Sequence, residues 1–411
     1  MRGSGNKPFQ RAMNRALVLR ELRERPGSSR RDLAAGLGLD RSTISNITGE
    51  LMEAGVIAKA DAETGHAAGR GRPAVGLRVV DERLCAVGLE ITEGGYRAVV
   101  RDNAGAVRHR ESGDRRFPEY VRFGDGLSEL VSDIASRAER KRSADGAPVR
   151  IVGAGCAVPG AVDSREARLI RSRELSLSDE PLPVHCRSGE RTIPIVCDND
   201  AHCGAWGEVH AWTRAGMRGA GARDGESESA PANEAASSTR ANLLFVLGRS
   251  SVRHLGVGMG LVIDGMVRYG GTHTAGEFYS GRWAGDEGSQ FSLSPAALAR
   301  ASGERSLREQ VFKELCEGLV PVVSVTDPQA VVFGGFFREH FDEIAAAART
   351  HVAGERILGL FASSRLAADE IAGGAAALFH EQLFRVPRYD RNSGAAPVGW
   401  EDVIEFLKET V

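Results

Sequence analysis

The sequence predicts an α/β protein, a body of two α/β lobes with a cleft between them, preceded by a winged helix-turn-helix head. Three observations carry that expectation. Three short helical stripes separated by turn residues, then two β-type segments, fill residues 1–80. From about residue 83 the pattern changes to strands alternating with helices, as in layered α/β units. The charge also changes sign: residues 1–80 hold 14 Lys+Arg against 8 Asp+Glu, on a chain whose net charge is −2. A basic head on an acidic body is the pattern of a small nucleic-acid-binding module. At 411 residues the chain exceeds what one core organises. The expected divisions are 1–80 for the head, 83–200 and 201–385 for the lobes, and 386–411 for a C-terminal tail and helix.

In the head, Val18, Leu19 and Leu22 form one helical stripe within residues 12–25, which Pro26-Gly27 stops. Ser29-Arg30-Arg31-Asp32 reads as a capping box opening a second helix, with Leu33, Ala34 and Leu37 facing inward. Gly38-Leu39 makes the turn. Asp40 caps a third helix whose apolar face is Ile44, Ile47, Leu51 and Ala54, and Gly55 ends it. Residues 56–59 and 75–80 read as two strands joined by a long loop containing Gly69-Arg70-Gly71-Arg72-Pro73. The opposite face of the third helix offers Arg41, Ser42, Ser45 and Asn46, polar groups suited to base edges and phosphates in a major groove. Arg30 and Thr43 complete the expected contact set on the helices, and Arg70 and Arg72 extend it to the wing. A protein-interaction head with a solvated polar face is the plainer alternative. The coincidence of basic charge, turn chemistry and wing favours double-stranded DNA.

In the body, residues 84–89 and 97–101 read as a hairpin, and Asp102–Gly105 turns into a third strand. A helix is expected over 123–142, and a buried strand over 149–158 ending in Pro159-Gly160. Another strand, 193–197, leads through Asp198-Asn199-Asp200 into a helix over 201–212. Residues 214–240, rich in Gly, Ala, Ser and Glu without apolar periodicity, read as a flexible surface insertion. A second hairpin follows, 242–247 and 255–263 around a loop at 248–254, and its echo of the first hints at internal duplication. Helices dominate from 295, interrupted by a strand at 330–333 and a Gly334-Gly335 loop.

Composition excludes several classes. Six cysteines lie scattered with no C-x-C or C-x-x-C pair, which argues against a disulfide framework and a cysteine-clustered zinc site. No apolar run approaches bilayer length, and the polar N-terminus has no signal-peptide core, so a cytoplasmic protein without a membrane partner is expected.

Asp198-Asn199-Asp200-Ala201 running to Gly207-Glu208, Gly258–Gly265, Ala275-Gly276-Glu277, and Asp327-Pro328 with Val331–Gly335 together resemble the ROK family. That family groups bacterial sugar kinases with sugar-responsive transcriptional repressors. The head resembles the repressor branch, and residues 83–385 resemble the actin-like sugar-kinase body. The resemblance implies that Asp200 stands at the position of the kinases' general base, with Asn199 beside it as a sugar-bonding residue. It implies Glu277 as a sugar-binding glutamate and Gly160 as a glycine bringing backbone close to the sugar. Two plainer readings stand beside these: Asp198–Asp200 capping the following helix, and Glu277 as an exposed loop carboxylate.

Three departures bear on activity. The first phosphate loop of the kinases is replaced by Glu90-Ile91-Thr92-Glu93-Gly94-Gly95-Tyr96, which puts two carboxylates where phosphate oxygens would sit. The second carries Gly248-Arg249-Ser250-Ser251-Val252-Arg253-His254 instead of a Gly-Thr-Gly. The family's zinc-ligating histidine is Ser280 here, and residues 281–300 contain no cysteine. The expected protein is therefore a DNA-binding repressor with no catalytic residues, cofactor or metal, acting as a homodimer or dimer of dimers. It would sense a carbohydrate-like effector through Gly160, Asn199, Asp200 and Glu277. The alternatives are an ATP-dependent sugar kinase with a DNA-binding head, and a regulator with no small-molecule effector.

Overall fold

The computed structural model describes residues 7–60, 75–114, 122–141, 148–219, 240–251, 254–285, 288–350, 357–387 and 398–409. The head consists of α1 (Lys7–Glu24), α2 (Arg30–Leu37), α3 (Arg41–Glu53) and the two-stranded wing β1 (Ile57–Lys59) and β2 (Leu77–Val79). Helix α1 starts upstream of the expected residue 12. Ser29 caps α2 in a full capping box with Asp32, and Gly38 closes the helix in a left-handed conformation at φ 64°. The Asp40 carboxylate accepts the Thr43 N–H at 2.7 Å and so opens α3. Val18, Leu19, Leu22, Leu33, Ile44 and Leu51 are fully buried between the three helices.

Among the described residues, two large sheets organise the body. The first has the order β10-β11-β6-β3-β4-β5, built from β3 (Cys85–Thr92), β4 (Gly95–Arg101), β5 (Val107–Gly113), β6 (Ile151–Val158), β10 (His185–Ser188) and β11 (Arg191–Asn199). Helix α4 (Phe123–Glu139) covers one of its faces. Three short strands, β7 (Ala161–Asp163), β8 (Arg168–Ser172) and β9 (Leu177–Pro181), form a separate small sheet. Nothing in the sequence predicts strands there. Its strands are short and largely polar, so no hydrophobic alternation announces them.

Helix α5 (Asp200–Gly219) crosses from the first sheet towards the second, whose order is β14-β13-β12-β15-β16. Its strands are β12 (Leu243–Ser250), β13 (Leu255–Ile263), β14 (Met266–Arg268), β15 (Ala330–Gly335) and β16 (Phe361–Ser363). Each sheet contains an antiparallel hairpin whose first strand also pairs in parallel with a later strand: β3 with β4 and β6, and β12 with β13 and β15. This shared arrangement accounts for the echo between the two hairpins. The second sheet is backed by α6 (Pro295–Arg300), α7 (Arg305–Thr326), α8 (Phe336–Glu339) and α9 (Phe341–Arg349).

Three expectations need correction. The insertion expected at 214–240 begins inside α5, which runs to Gly219; residues 220–239 lie outside the described residues. The loop expected at 248–254 is shorter, because β12 continues through Ser250 and Arg249 pairs with Gly256 in the ladder. Gly334 and Gly335 are strand rather than loop, in register with Leu247 and Gly248. Glycine there reads as a breaker, yet parallel pairing with β12 supplies the backbone partners that hold it extended.

Helix α10 (Glu370–Leu383) lies beyond the second sheet in sequence but packs against β3 and β6 of the first, and against α5. The approach is close enough to require glycine: a Cβ on Gly374 would lie 2.0 Å from the Cys203 carbonyl oxygen. Phe379 of α10 is fully buried, and truncating such a ring costs about 3–5 kcal/mol. The last helix, α11 (Trp400–Lys408), docks on the head, with Trp400, Val403, Ile404 and Leu407 in one core with α1 and α3. No helix among the described residues is long and apolar enough to cross a membrane.

Candidate nucleic-acid interface and effector cleft

Arg41, Ser42, Ser45 and Asn46 are exposed along α3, opposite the buried Ile44, Ile47 and Leu51. The side chains of Arg41, Ser45 and Asn46 make no hydrogen bond to any described residue, so their donors and acceptors face solvent. Ser42 and Thr43 differ: both hydroxyls donate to the Asp40 carboxylate, at 2.6 and 2.7 Å. These bonds, with the Ser42 hydroxyl the largest cause, hold the Asp40 carboxyl far below the usual carboxylate range. Arg30 is also engaged, its Nε donating to Thr48 at 2.7 Å. It therefore braces α2 against α3. Arg70 and Arg72 lie outside the described residues.

The residues expected to bind an effector gather around the point where β11 ends and α5 begins. The carboxamide oxygen of Asn199 accepts the Ala201 N–H at 2.8 Å, and its NH₂ donates to the Gly160 carbonyl at 2.6 Å. Asn199 thus caps α5 and ties down the β6–β7 turn. Gly160 has φ 119°, and a Cβ there would fall 2.3 Å from the Arg171 carbonyl oxygen, so close approach of β8 alone demands glycine. The plainer capping reading of this motif is therefore part of the structure.

Asp200 is the first residue of α5 and is buried. One of its oxygens accepts the Ala201 N–H at 2.8 Å, and the other lies 2.9 Å from Nε of Arg249. Burial pushes its carboxyl up to about 6 against the pull of Arg249, with Glu174 and Glu90 adding upward. Arg249 also donates to Glu90 at 2.6 Å and to the Ile91 carbonyl at 2.9 Å, and its Nε stands 3.5 Å from Glu174. Of the two carboxylates expected at the first loop, Glu90 is buried against this arginine, whereas Glu93 is exposed and its backbone N–H donates to Glu174.

Behind Asp200, His202 is buried with Nδ1 3.0 Å from the Asp198 carboxylate and Nε2 3.3 Å from the Ala275 carbonyl. Both neighbours are acceptors, so the ring bonds both only as imidazolium. Burial opposes that charge, but Asp198 outweighs it and the pKa rises. His202 thereby anchors the Ala275-Gly276-Glu277 turn, which pairs with β13 at Gly258. Gly258 in turn packs on Ala201, beside Asp200. Glu277 is exposed to solvent on one side. Burial on the other raises its pKa, offset in part by Arg173 and His202.

The region where the resemblance implies zinc does not fit that metal. Ser280 is buried, its N–H donating to the Gln290 carbonyl at 2.8 Å, and the Gln290 amide bonds Val257 and Phe278 backbone at 2.7–2.9 Å. Glu314 accepts from the Ser292 backbone at 3.0 Å. Hydroxyl, amide and one carboxylate close this loop, a donor set without thiolate or imidazole. Among the described residues no group of three or more His, Cys, Asp or Glu side chains could hold a metal.

Sequence reasoning did not single out Arg249, Glu174 and His202 as neighbours of the Asp198-Asn199-Asp200 segment. The available signal was Glu90 itself: a carboxylate inside an apolar strand requires a cation, and Arg249 lies in the other altered loop.

Residues 15–58 match the family of winged helix-turn-helix DNA-binding domains. The xylose repressor of Caldicellulosiruptor bescii is 25% identical over 205 residues, 50% of this chain and 49% of the relative. The xylose repressor of Bacillus subtilis is 23% identical over 209 residues, 49% of this chain and 50% of the relative. The chain thus spans about half the length of the curated relatives it matches. The crystal structure of a ROK family transcriptional regulator, a homolog of the E. coli MLC protein, superposes over 97% of this chain and 100% of its own. The TM-score is 0.61 at 17% identity. With a winged helix-turn-helix head on two linked α/β lobes, the chain has the fold of the ROK family transcriptional regulators.

Proposed function

We propose that the protein is a cytoplasmic, sugar-responsive repressor that binds operator DNA through its head and a neutral carbohydrate through its cleft. The single observation that carries this reading is the pairing of a solvent-facing α3 with a cleft whose base-position carboxylate is held by an internal arginine. Arg41, Ser45 and Asn46 are suited to base edges, with Ser42 and Thr43 serving the helix cap beside phosphate. In the cleft, Asn199, Asp200 and Glu277 offer mainly acceptors, which suits hydroxyl groups better than an anion. The xylose repressors to which the chain is similar make D-xylose the first sugar to try.

The kinase alternative requires Asp200 to be free as a base and both phosphate loops to accept ATP. An ion pair on Asp200 and carboxylates at Glu90 and Glu174 disfavour both. A homodimer fits the two-fold symmetry of operators.

The test begins by selecting bound duplexes from fragmented genomic DNA, then titrating D-xylose and a sugar panel into a gel shift. Asp200→Ala is expected to bind the same duplex as wild type and to need about tenfold more sugar for release. Failure to enrich any duplex would sink the DNA reading. An unchanged sugar response in Asp200→Ala would sink the cleft assignment, and sugar phosphate accumulating with ATP would restore the kinase.

A further inference from the structure

Arg249 stands near the end of β12 in the second sheet, yet most of its partners lie across the cleft. Glu90 and Ile91 belong to β3 of the first sheet, and Glu174 to the turn between β8 and β9. Asp200 begins the helix that joins the two halves. The guanidinium spans all of them: Nη1 to Glu90 at 2.6 Å, Nη2 to the Ile91 carbonyl at 2.9 Å, Nε at 2.9 Å from Asp200 and 3.5 Å from Glu174. The side chains of Glu90 and Asp200 are 4% and 7% exposed, so water does little to screen them. His273 reaches Asp163 at 3.4 Å, a second and weaker crossing at the rim.

A planar fork is the side chain that can serve several acceptors at once, and lysine is not its equivalent. Without the cation, Glu90 of β3, Glu174 of the β8–β9 turn and Asp200 directly after β11 would lose their tie to β12 of the second sheet. What is lost is attraction between the halves, because all three carboxylates ride on the first-sheet side while Arg249 rides on β12 of the second.

We propose that Arg249 is an inter-lobe latch, whose guanidinium between Glu90, Glu174 and Asp200 holds the cleft closed. The proposal deepens the sensor reading by naming what sets the lobe angle. It rests on that reading only for its consequence at DNA, since closure itself is measurable without DNA or ligand. Three carboxylates against Arg249 and the exposed Arg97, 3.8 Å from Glu90, leave the latch site negative, so an anionic sugar phosphate is disfavoured there and an uncharged polyol is not.

The six native cysteines are all buried, which leaves introduced surface cysteines as the accessible sites for spin labels. Ile170→Cys in β8 and Met266→Cys at the start of β14 are exposed positions on the two sides. Pulsed electron resonance distances between them are then compared in the full-length protein with Arg249, Arg249→Lys and Arg249→Met. The expected result is one narrow distribution with Arg249. A longer, broader population should become the majority in Arg249→Met and an intermediate fraction in Arg249→Lys. Far-UV circular dichroism checks folding, and if Arg249→Met does not fold, Arg249→Lys decides. A folded variant with the Arg249 distribution would overturn the latch. Altered distances in a protein that binds no duplex would uphold the latch and sink the sensor reading.

Discussion

Asparagine at position 200 is expected to stabilise the protein in mild alkali and to make no difference in acid. Burial raises the Asp200 carboxyl from its ordinary 3.8 to about 6, even with Arg249 pulling the other way. An acid whose folded pKa is raised holds its proton more tightly when folded than when unfolded. Its contribution to stability is therefore complete below about pH 4 and is lost as the pH rises through about 6. A difference of about two units corresponds to roughly 3 kcal/mol given up above that window. Asp200→Asn keeps the size of the side chain and an oxygen to accept the Ala201 N–H, and it never ionises. Arg249 still has Glu90 and Glu174 as partners. The assay is calorimetric melting of both proteins at about pH 4.5 and pH 8. The difference between them cancels every other titrating group. The variant should melt a few degrees higher at pH 8 and at nearly the same temperature at pH 4.5. A difference that does not move in the variant's favour between pH 4.5 and pH 8 would refute the reasoning, because ionising Asp200 would then cost the folded state nothing. That comparison cancels the constant effect of setting an amide NH₂ against the Arg249 Nε.

Two further outcomes follow from the head. Arg41→Ala and Asn46→Ala should each weaken binding to a selected duplex by about 1–3 kcal/mol in gel shifts, and leave non-specific binding much less affected for Asn46. Arg15 is 3% exposed and bonds Glu50 of α3 at 3.1 Å and Glu401 of α11 at 2.7 Å. Arg15→Met should cost about 2 kcal/mol, below the usual penalty for a broken buried pair because Glu401 is 57% exposed and Glu50 keeps Arg11. It should also speed amide exchange selectively in 400–408.

The head was legible in the sequence because each signal there is local. Ser29 with Asp32, Asp40 with Thr43, and Gly38 in its left-handed conformation all act within four residues of themselves. The alternation of strands and helices in the body was legible for the same reason. Helix α10 was not: its sequence, rich in alanine and glycine, gives no sign that Gly374 meets Cys203 more than 150 residues away. The polar strands β7–β9 hold few apolar residues for a pattern to register, and their order comes from pairing. The surroundings of Asp200 were half legible. Motif match singled out Asn199, Asp200 and Glu277, but the cation beside Asp200 lies 49 positions downstream and belongs to no motif.

The same packing that hides α10 from the sequence gives it a place between cleft and head. Helix α5 starts at Asp200 and lies along α10, with Gly374 admitting backbone-to-backbone approach. Close-packed helices shift as bodies and cannot slide independently without opening voids. At its far end α10 carries Glu381, which pairs with Arg23 of α1, and leads to Phe384, whose ring lies 4.7 Å from the Arg23 guanidinium and edge-on to Trp400 of α11. A rotation of α5 relative to the first sheet would therefore reach α1 and α11 directly. The contacts at that end are a few ion pairs, one cation–π pair and a small apolar core. Their rearrangement is of the size an effector can drive: a hundredfold preference for one lobe arrangement supplies about 2.7 kcal/mol.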